Sequence, residues 1–231
     1  MTFSLRALAL LCFITTSQFL FSQNPNQTGS WYMYFYKHQF QNSQFGIQGD
    51  VQYRNWNIIG DLEQLLLRSG VTYQPKEADV LFTLGYAHVT SGALGDSNDT
   101  SAESRIYQEA LLPQKVGGRF YLTHRFRYEQ RFVEDQDFRT RYRYNLFLNI
   151  PFTAKTISPK VFYAALYNEL FVNGQTDIGD GREVELFDRN RTYLGVGYVL
   201  NESIRFQLGW MNQKTANNGK AQFQVSMHHK F

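Results

Sequence analysis

Two neighbouring segments of the chain carry arginine at alternate positions: Arg125, Arg127 and Arg131 in the first, Arg139, Arg141 and Arg143 in the second, with Glu129 among them. Arg54 and Arg68 fall on the less apolar face of two earlier segments. Guanidinium groups gathered on one surface can do either of two things. They can line a passage that selects anions or holds an anionic head group, as arginine rings do in pores. They can instead pair with carboxylates and fill an interior, as side chains fill small barrels. Glu129 and Glu169 are placed to neutralise part of the charge, which favours pairing. The expected cluster is Arg125, Arg127, Glu129, Arg131, Arg139, Arg141, Arg143 and Glu169.

Other chemistry is sparse. His228 and His229 are adjacent, so a regular strand points them to opposite faces and they cannot chelate one metal together. His124 falls among apolar residues, while His38 and His88 stand alone. No Ser-His-acid set is recognisable, although such a set is defined by geometry rather than spacing. Acids gather in the links: Asp96, Asp99 and Glu103; Glu134, Asp135 and Asp137; and Asp177, Asp180, Glu183, Glu185 and Asp188. Their oxygens suit Ca²⁺, but none follows the twelve-residue calcium-loop pattern, so they read as solvated loop surface. The expectation is a non-enzyme without metal or cofactor. The net charge of +3 is too small to argue for nucleic acid, and no basic helix, zinc finger or RNA-binding signature occurs.

The elements that position the arginines follow from the period. In Arg119–Phe132 one face carries Phe120, Leu122, His124, Phe126, Tyr128, Gln130 and Phe132, and the other carries the arginines with Glu129. Phe138–Ile150 repeats the pattern. Successive strand side chains point to opposite faces, whereas a helix would scatter the arginines around its cylinder. The same alternation marks Trp31–Phe40, Phe45–Trp56, Leu62–Tyr73, Val80–Thr90, Arg105–Leu112, Val161–Val172, Arg191–Leu200, Ile204–Gln213 and Gln222–Phe231. At ~3.3 Å per residue and a tilt near ~45°, ten residues cover the ~25 Å apolar band of a membrane barrel. Links alternate in length, with Gln41–Gln44, Gln74–Asp79 and Asn201–Ser203 short, and Ser91–Ser104 and Asn173–Asn190 longer. On this reading Tyr142 and Leu146 face outward, and Asn145 faces a lumen where added charge is tolerated.

These segments number eleven, yet bacterial single-chain barrels have an even number so that both ends return to the periplasm. The expectation is therefore an all-β, antiparallel up-and-down transmembrane β-barrel of ten or twelve strands. Aromatics make up 16% of the chain while mean hydropathy is only −0.41, a pairing that suits lipid-facing and lumen-facing residues in alternation. A secreted β-sandwich or lipocalin-like barrel is the soluble alternative.

Residues 1–22 read as a cleaved secretory signal: Arg6 is the only charge, the run Ala7–Thr15 is apolar, and a polar stretch starts at Gln23. The mature domain is then 23–231. Cys12, the single cysteine, lies in the signal and leaves the mature chain without thiol or disulfide. At the other end Phe223, Val225, Met227, His229 and Phe231 share one face. A terminal aromatic with apolar residues at alternate positions resembles the signal read by outer-membrane assembly machinery, with Phe231 as its key residue.

A family resemblance rests on Glu103-Ser-Arg-Ile-Tyr-Gln108, Thr123-His-Arg-Phe-Arg-Tyr-Glu-Gln-Arg-Phe132 and Phe138-Arg-Thr-Arg-Tyr-Arg-Tyr144. It continues through Tyr167-Asn-Glu-Leu-Phe171 and Asp188-Arg-Asn-Arg191 before Gly195, Val196 and Gly197. These motifs resemble the domain of unknown function 2490 family of bacterial outer-membrane proteins. The resemblance implies a barrel and a location and supplies no activity. The expected protein is a non-catalytic, porin-like barrel of the Gram-negative outer membrane with a charged Arg/Glu lumen filled by side chains. Its partners are outer-membrane lipid and the barrel-assembly machinery. The alternative is a narrow channel or transporter for small anionic solutes, and the third reading is a barrel enzyme acting on lipid.

Overall fold

The computed structural model describes residues 28–231; the expected signal and the expected mature start at Gln23 lie outside the described residues. The described chain is eleven strands: Thr28–Gln39 (β1), Phe45–Asn55 (β2), Leu62–Tyr73 (β3), Leu81–Gly92 (β4), Thr100–Val116 (β5), Phe120–Val133 (β6), Arg139–Pro151 (β7), Phe162–Asn173 (β8), Phe187–Val199 (β9), Ile204–Lys214 (β10) and Gly219–Lys230 (β11). Each strand pairs with its sequence neighbours in antiparallel register, and β1 closes the barrel against β11.

That closing pair is parallel, running from Thr28 opposite Ala221 to Lys37 opposite Lys230. The expected count of ten or twelve is thereby corrected to eleven. An even count is required only where every pair is antiparallel. A parallel pair closes an odd number equally well, because its ladder is also fully hydrogen-bonded, with evenly spaced slanted bonds. A second correction follows. Thr28, the first described residue, and Phe231 lie at opposite ends of the barrel instead of the same end. The end that holds Thr28 is called here the upper mouth. It also holds the links 56–61, 93–99, 134–138, 174–186 and 215–218.

Strand boundaries follow local chemistry. The β6–β7 turn is centred on Asp135, which takes a left-handed backbone (φ 54°) that an acid with a short polar side chain tolerates. The link expected at Ser91–Ser104 is shorter in the structure, because β5 begins at Thr100 and pairs with Gly92. At its other end β5 runs past Leu111, the partner of β4's first residue, so Leu112–Val116 pairs with β6 alone.

The two faces of the sheet differ sharply. Phe126, Tyr142, Leu194, Val196, Leu84 and Leu208 point outward and are exposed. The alternate residues point into the lumen and are buried, charged ones included. A barrel wider than about eight strands needs long side chains to fill it. Here arginine, tyrosine and tryptophan reach inward from some strands, and glycines on others leave room. Tyr163 lies flat over its cross-strand partner Gly197, where a Cβ would collide with the ring. Tyr107 covers Gly85 in the same way. Tyr163, Tyr193, Met211 and Trp31 form the main apolar cluster inside the barrel.

Candidate functional site

The site is built on the β6–β7 hairpin. Its register pairs Arg131 with Arg139, Glu129 with Arg141 and Arg127 with Arg143, as the hairpin length leads one to expect. Two of these pairs are like-charged, which destabilises a sheet unless carboxylates intervene. They do. Glu129, only 1% exposed, accepts from Arg141 Nη2 at 2.6 Å and Nε at 2.9 Å, and from Arg143 Nη1 at 2.5 Å. Arg127 Nη1 stands 3.7 Å from the same carboxylate.

Glu169 on β8 supplies the second acid. It accepts from Arg143 Nη2 at 2.5 Å and from Arg125 Nη2 at 2.6 Å. Matching the lumen faces of neighbouring strands across the link after Ile150 predicts Glu169 opposite Arg141 or Arg143, and the structure corrects this. Glu169 lies opposite Asn145, and it reaches Arg143 diagonally, two residues along. The ten-residue link 152–161 fixes no tight turn, so the register could not be read from its length. Asn145 is itself 2% exposed, so it is walled in and not a tolerant aqueous position.

Glu109 on β5 completes the set. Arg127 donates to it from Nη2 at 2.5 Å and Nε at 2.7 Å, and Arg125 Nε approaches to 3.8 Å. Glu129, Arg143, Glu169, Arg125, Glu109 and Arg127 thus alternate around a closed ring of charge inside the barrel. The ring extends upward through Arg141, which also donates to Asp188 at 2.8 Å. Asp188 in turn holds Arg189 at 2.9 Å. Arg131 belongs to a separate group, donating to Glu103 at 2.5 and 3.0 Å, where Arg105 also donates at 2.7 Å.

Arg139 is the exception. It is buried, but among the described residues no carboxylate stands within 4.0 Å of it and its Nε has no hydrogen-bond partner. Arg54 and Arg191 are also buried; their guanidinium carbons sit 3.8 and 4.8 Å from the centre of the Trp31 ring. Phe171 receives Arg143 at 4.4 Å and Arg191 at 4.7 Å. Weakly hydrated guanidinium stacks readily on such faces. Nine arginines and five carboxylates are buried among the described residues.

Glu103 and Asp188, expected as solvated link surface, are corrected to ion-pair partners within the wall, because their strands extend further than the alternation suggests; Glu109, Arg191 and Trp31 were not expected in this interior. A signal was present. Glu103, Arg105, Tyr107 and Glu109 alternate in the period that revealed β6, and all four point inward. Of the histidines, His228 faces the lumen and stacks on Phe35 at 4.7 Å, while His229 faces outward and bonds the Tyr34 hydroxyl at 3.0 Å. Phe231 stacks on His38 at 5.2 Å, and its carbonyl lies 2.6 Å from His38 Nδ1. The link acids make turn contacts: Gly179 N–H donates to Asp177 and Asp99 N–H donates to Ser97.

Residues 28–224 match the family model described as "Protein of unknown function (DUF2490)". An uncharacterized protein of Methylorubrum extorquens is 30% identical over 218 residues, which span 89% of this chain and 86% of that relative.

Proposed function

The chain belongs to the DUF2490 family, and on that premise we propose that it is a bacterial outer-membrane barrel whose own side chains fill its lumen. In this reading it is non-catalytic and serves as a structural or partner-binding element of that membrane. Its partners are outer-membrane lipid and the machinery that inserts such barrels.

The observation that carries the reading is the inversion of faces. Tyr142 and Phe126 are 55% and 51% exposed on the outside, whereas Arg141 and Glu129 are 4% and 1% exposed on the inside. In water an apolar belt around a whole barrel far exceeds the few hundred Å² that a soluble monomer tolerates. In lipid it is the ordinary outer surface. The paired charges support a filled interior, since buried ions persist when partnered and hydrogen-bonded.

Reconstitution tests both halves. The refolded protein should float with liposomes and resist alkaline extraction; recovery from the aqueous fraction would overturn membrane insertion. In planar bilayers it should give no discrete conductance steps. One observation favours a second reading, a narrow passage for small anions: buried arginines outnumber buried carboxylates. Stepwise, anion-selective conductance would put that reading first.

A further inference from the structure

One buried arginine without a close partner stands at the upper mouth. Arg139, at the start of β7, faces Arg131 across the hairpin. The two differ in one respect. Arg131 is held by Glu103, while Arg139 has neither carboxylate nor hydrogen-bond acceptor at its buried Nε. The acids of the network on this side are already engaged: Glu103 binds Arg131 and Arg105, and Asp188 binds Arg141 and Arg189. An uncompensated buried charge is costly. A lysine could shed its proton to escape that cost, but arginine stays charged. Arg139 is therefore a permanent cation, 7% exposed, that calls for an anion.

Space for one adjoins it. Arg139, Arg131, Arg189 and Asn173 line a cavity of about 460 Å³ at this mouth, within the size range of small-molecule sites. Asn173 is 3% exposed and its Oδ1 is a second buried atom without a partner, an acceptor awaiting a donor. Glu183, Glu185 and Asp188 also line it, with Phe187 and the link 215–218 in the rest of the wall. A bare dianion would be repelled by those carboxylates. A singly charged carboxylate halves that repulsion and matches the planar guanidinium fork. Hydroxyls on the same molecule would donate to Asn173 Oδ1 and to Glu185.

We infer that the cavity between Arg139 and Asn173 is a binding site for a small hydroxylated carboxylate, of the sugar-acid class. Arg139 takes the carboxylate and Asn173 reads a hydroxyl. The site does not require an open lumen, because it lies above the ring of paired charges.

The test is titration calorimetry on the full chain refolded in detergent, with galacturonate as the probe and glucose, acetate and inorganic phosphate as comparisons. Galacturonate should bind with one-to-one stoichiometry and more tightly than all three. Arg139→Gln should weaken it at least tenfold. Arg139→Lys keeps the charge but loses the fork and should weaken it severalfold, and it serves if the glutamine variant does not refold. Galacturonate binding no tighter than glucose or acetate, tighter binding of phosphate, or equal binding by the Arg139 variants would each overturn the proposal.

Discussion

Glu129 and Asp180 both accept from arginine, but they sit in opposite surroundings. Glu129 lies in mid-barrel, 1% exposed, with Arg141, Arg143 and Arg127 around it. Asp180 lies in the 174–186 link, its side chain 87% exposed, with Arg182 at 3.2 Å as its ion-pair partner. The chemistry of the two contacts is the same and their consequences differ. Inside, three permanent cations share one carboxylate that water cannot replace. Outside, water and salt replace the carboxylate at once. The lesson is that charge in this molecule has structural weight only where the sheet excludes solvent.

The severest way to break that contrast is to neutralise the inner acid. Glu129→Gln leaves Arg141 sharing Asp188 and Arg143 sharing Glu169, with Arg127 left to Glu109. Removing one partner of a buried ion set costs ~3–5 kcal/mol. Urea unfolding in lipid should show a loss of that size. A loss below ~1 kcal/mol would mean that the ring is hydrated, and the interior would then be an aqueous pore.

The contrast also depends on what lies outside the wall. Tyr142 is exposed on β7, between Arg141 and Arg143 on the inward face. An arginine in its place faces lipid if the barrel is inserted, at a cost of ~2–4 kcal/mol near the midplane. In water the same change at an exposed position is nearly neutral. Unfolding of Tyr142→Arg in lipid therefore checks whether solvent is excluded from both sides of the sheet.

A smaller effect should come from the wall that makes room. Gly197 on β9 lies beneath the Tyr163 ring, which is fully buried and whose hydroxyl accepts from Gln207 at 3.0 Å. A methyl group there has no space. Gly197→Ala should cost ~1–3 kcal/mol, the usual penalty of overpacking. The readout is the unfolding midpoint in detergent. An unchanged midpoint would show that the aromatic side of the lumen is loosely packed.

These residues also show how far the sequence was legible. The arginine face and the Glu129–Arg141 register could be read, because period two is strict and the turn at Asp135 is short. The position of Glu169 could not, because a ten-residue link leaves the register free. Glu109 is visible as alternation within Arg105–Leu112, but period alone does not say that it lies opposite Arg127 across the sheet. The eleven strands are legible as eleven alternating segments, and the even-number rule misleads because it holds only for antiparallel closure. Asn145 was expected to tolerate charge; its burial opposite Glu169 makes an added cation there a clash with a filled lumen. Arg139 was placed correctly by period, but alternation carries no information about which acids reach it.

The smallest effect belongs to the outer pair. Asp180→Asn removes the carboxylate beside Arg182, whose own side chain is 45% exposed. Arg182 also donates to the Asp135 and Gly179 carbonyls, so it stays anchored without Asp180. The links 134–138 and 174–186 are further tied by Asp137 N–H donating to the Ile178 carbonyl at 2.9 Å. An exposed pair contributes ~0–1 kcal/mol, and salt with a Debye length near ~3 Å at 1 M screens even that. Asp180→Asn should therefore change unfolding by less than ~0.5 kcal/mol, and adding 1 M salt to the wild type should do no more. Asn also retains the tolerance for the left-handed backbone that Asp180 adopts (φ 57°), so no strain term enters. A loss above ~1 kcal/mol would show that the upper links shield Asp180 from water, and the division between a dry interior and a wet rim would have to be redrawn further outward.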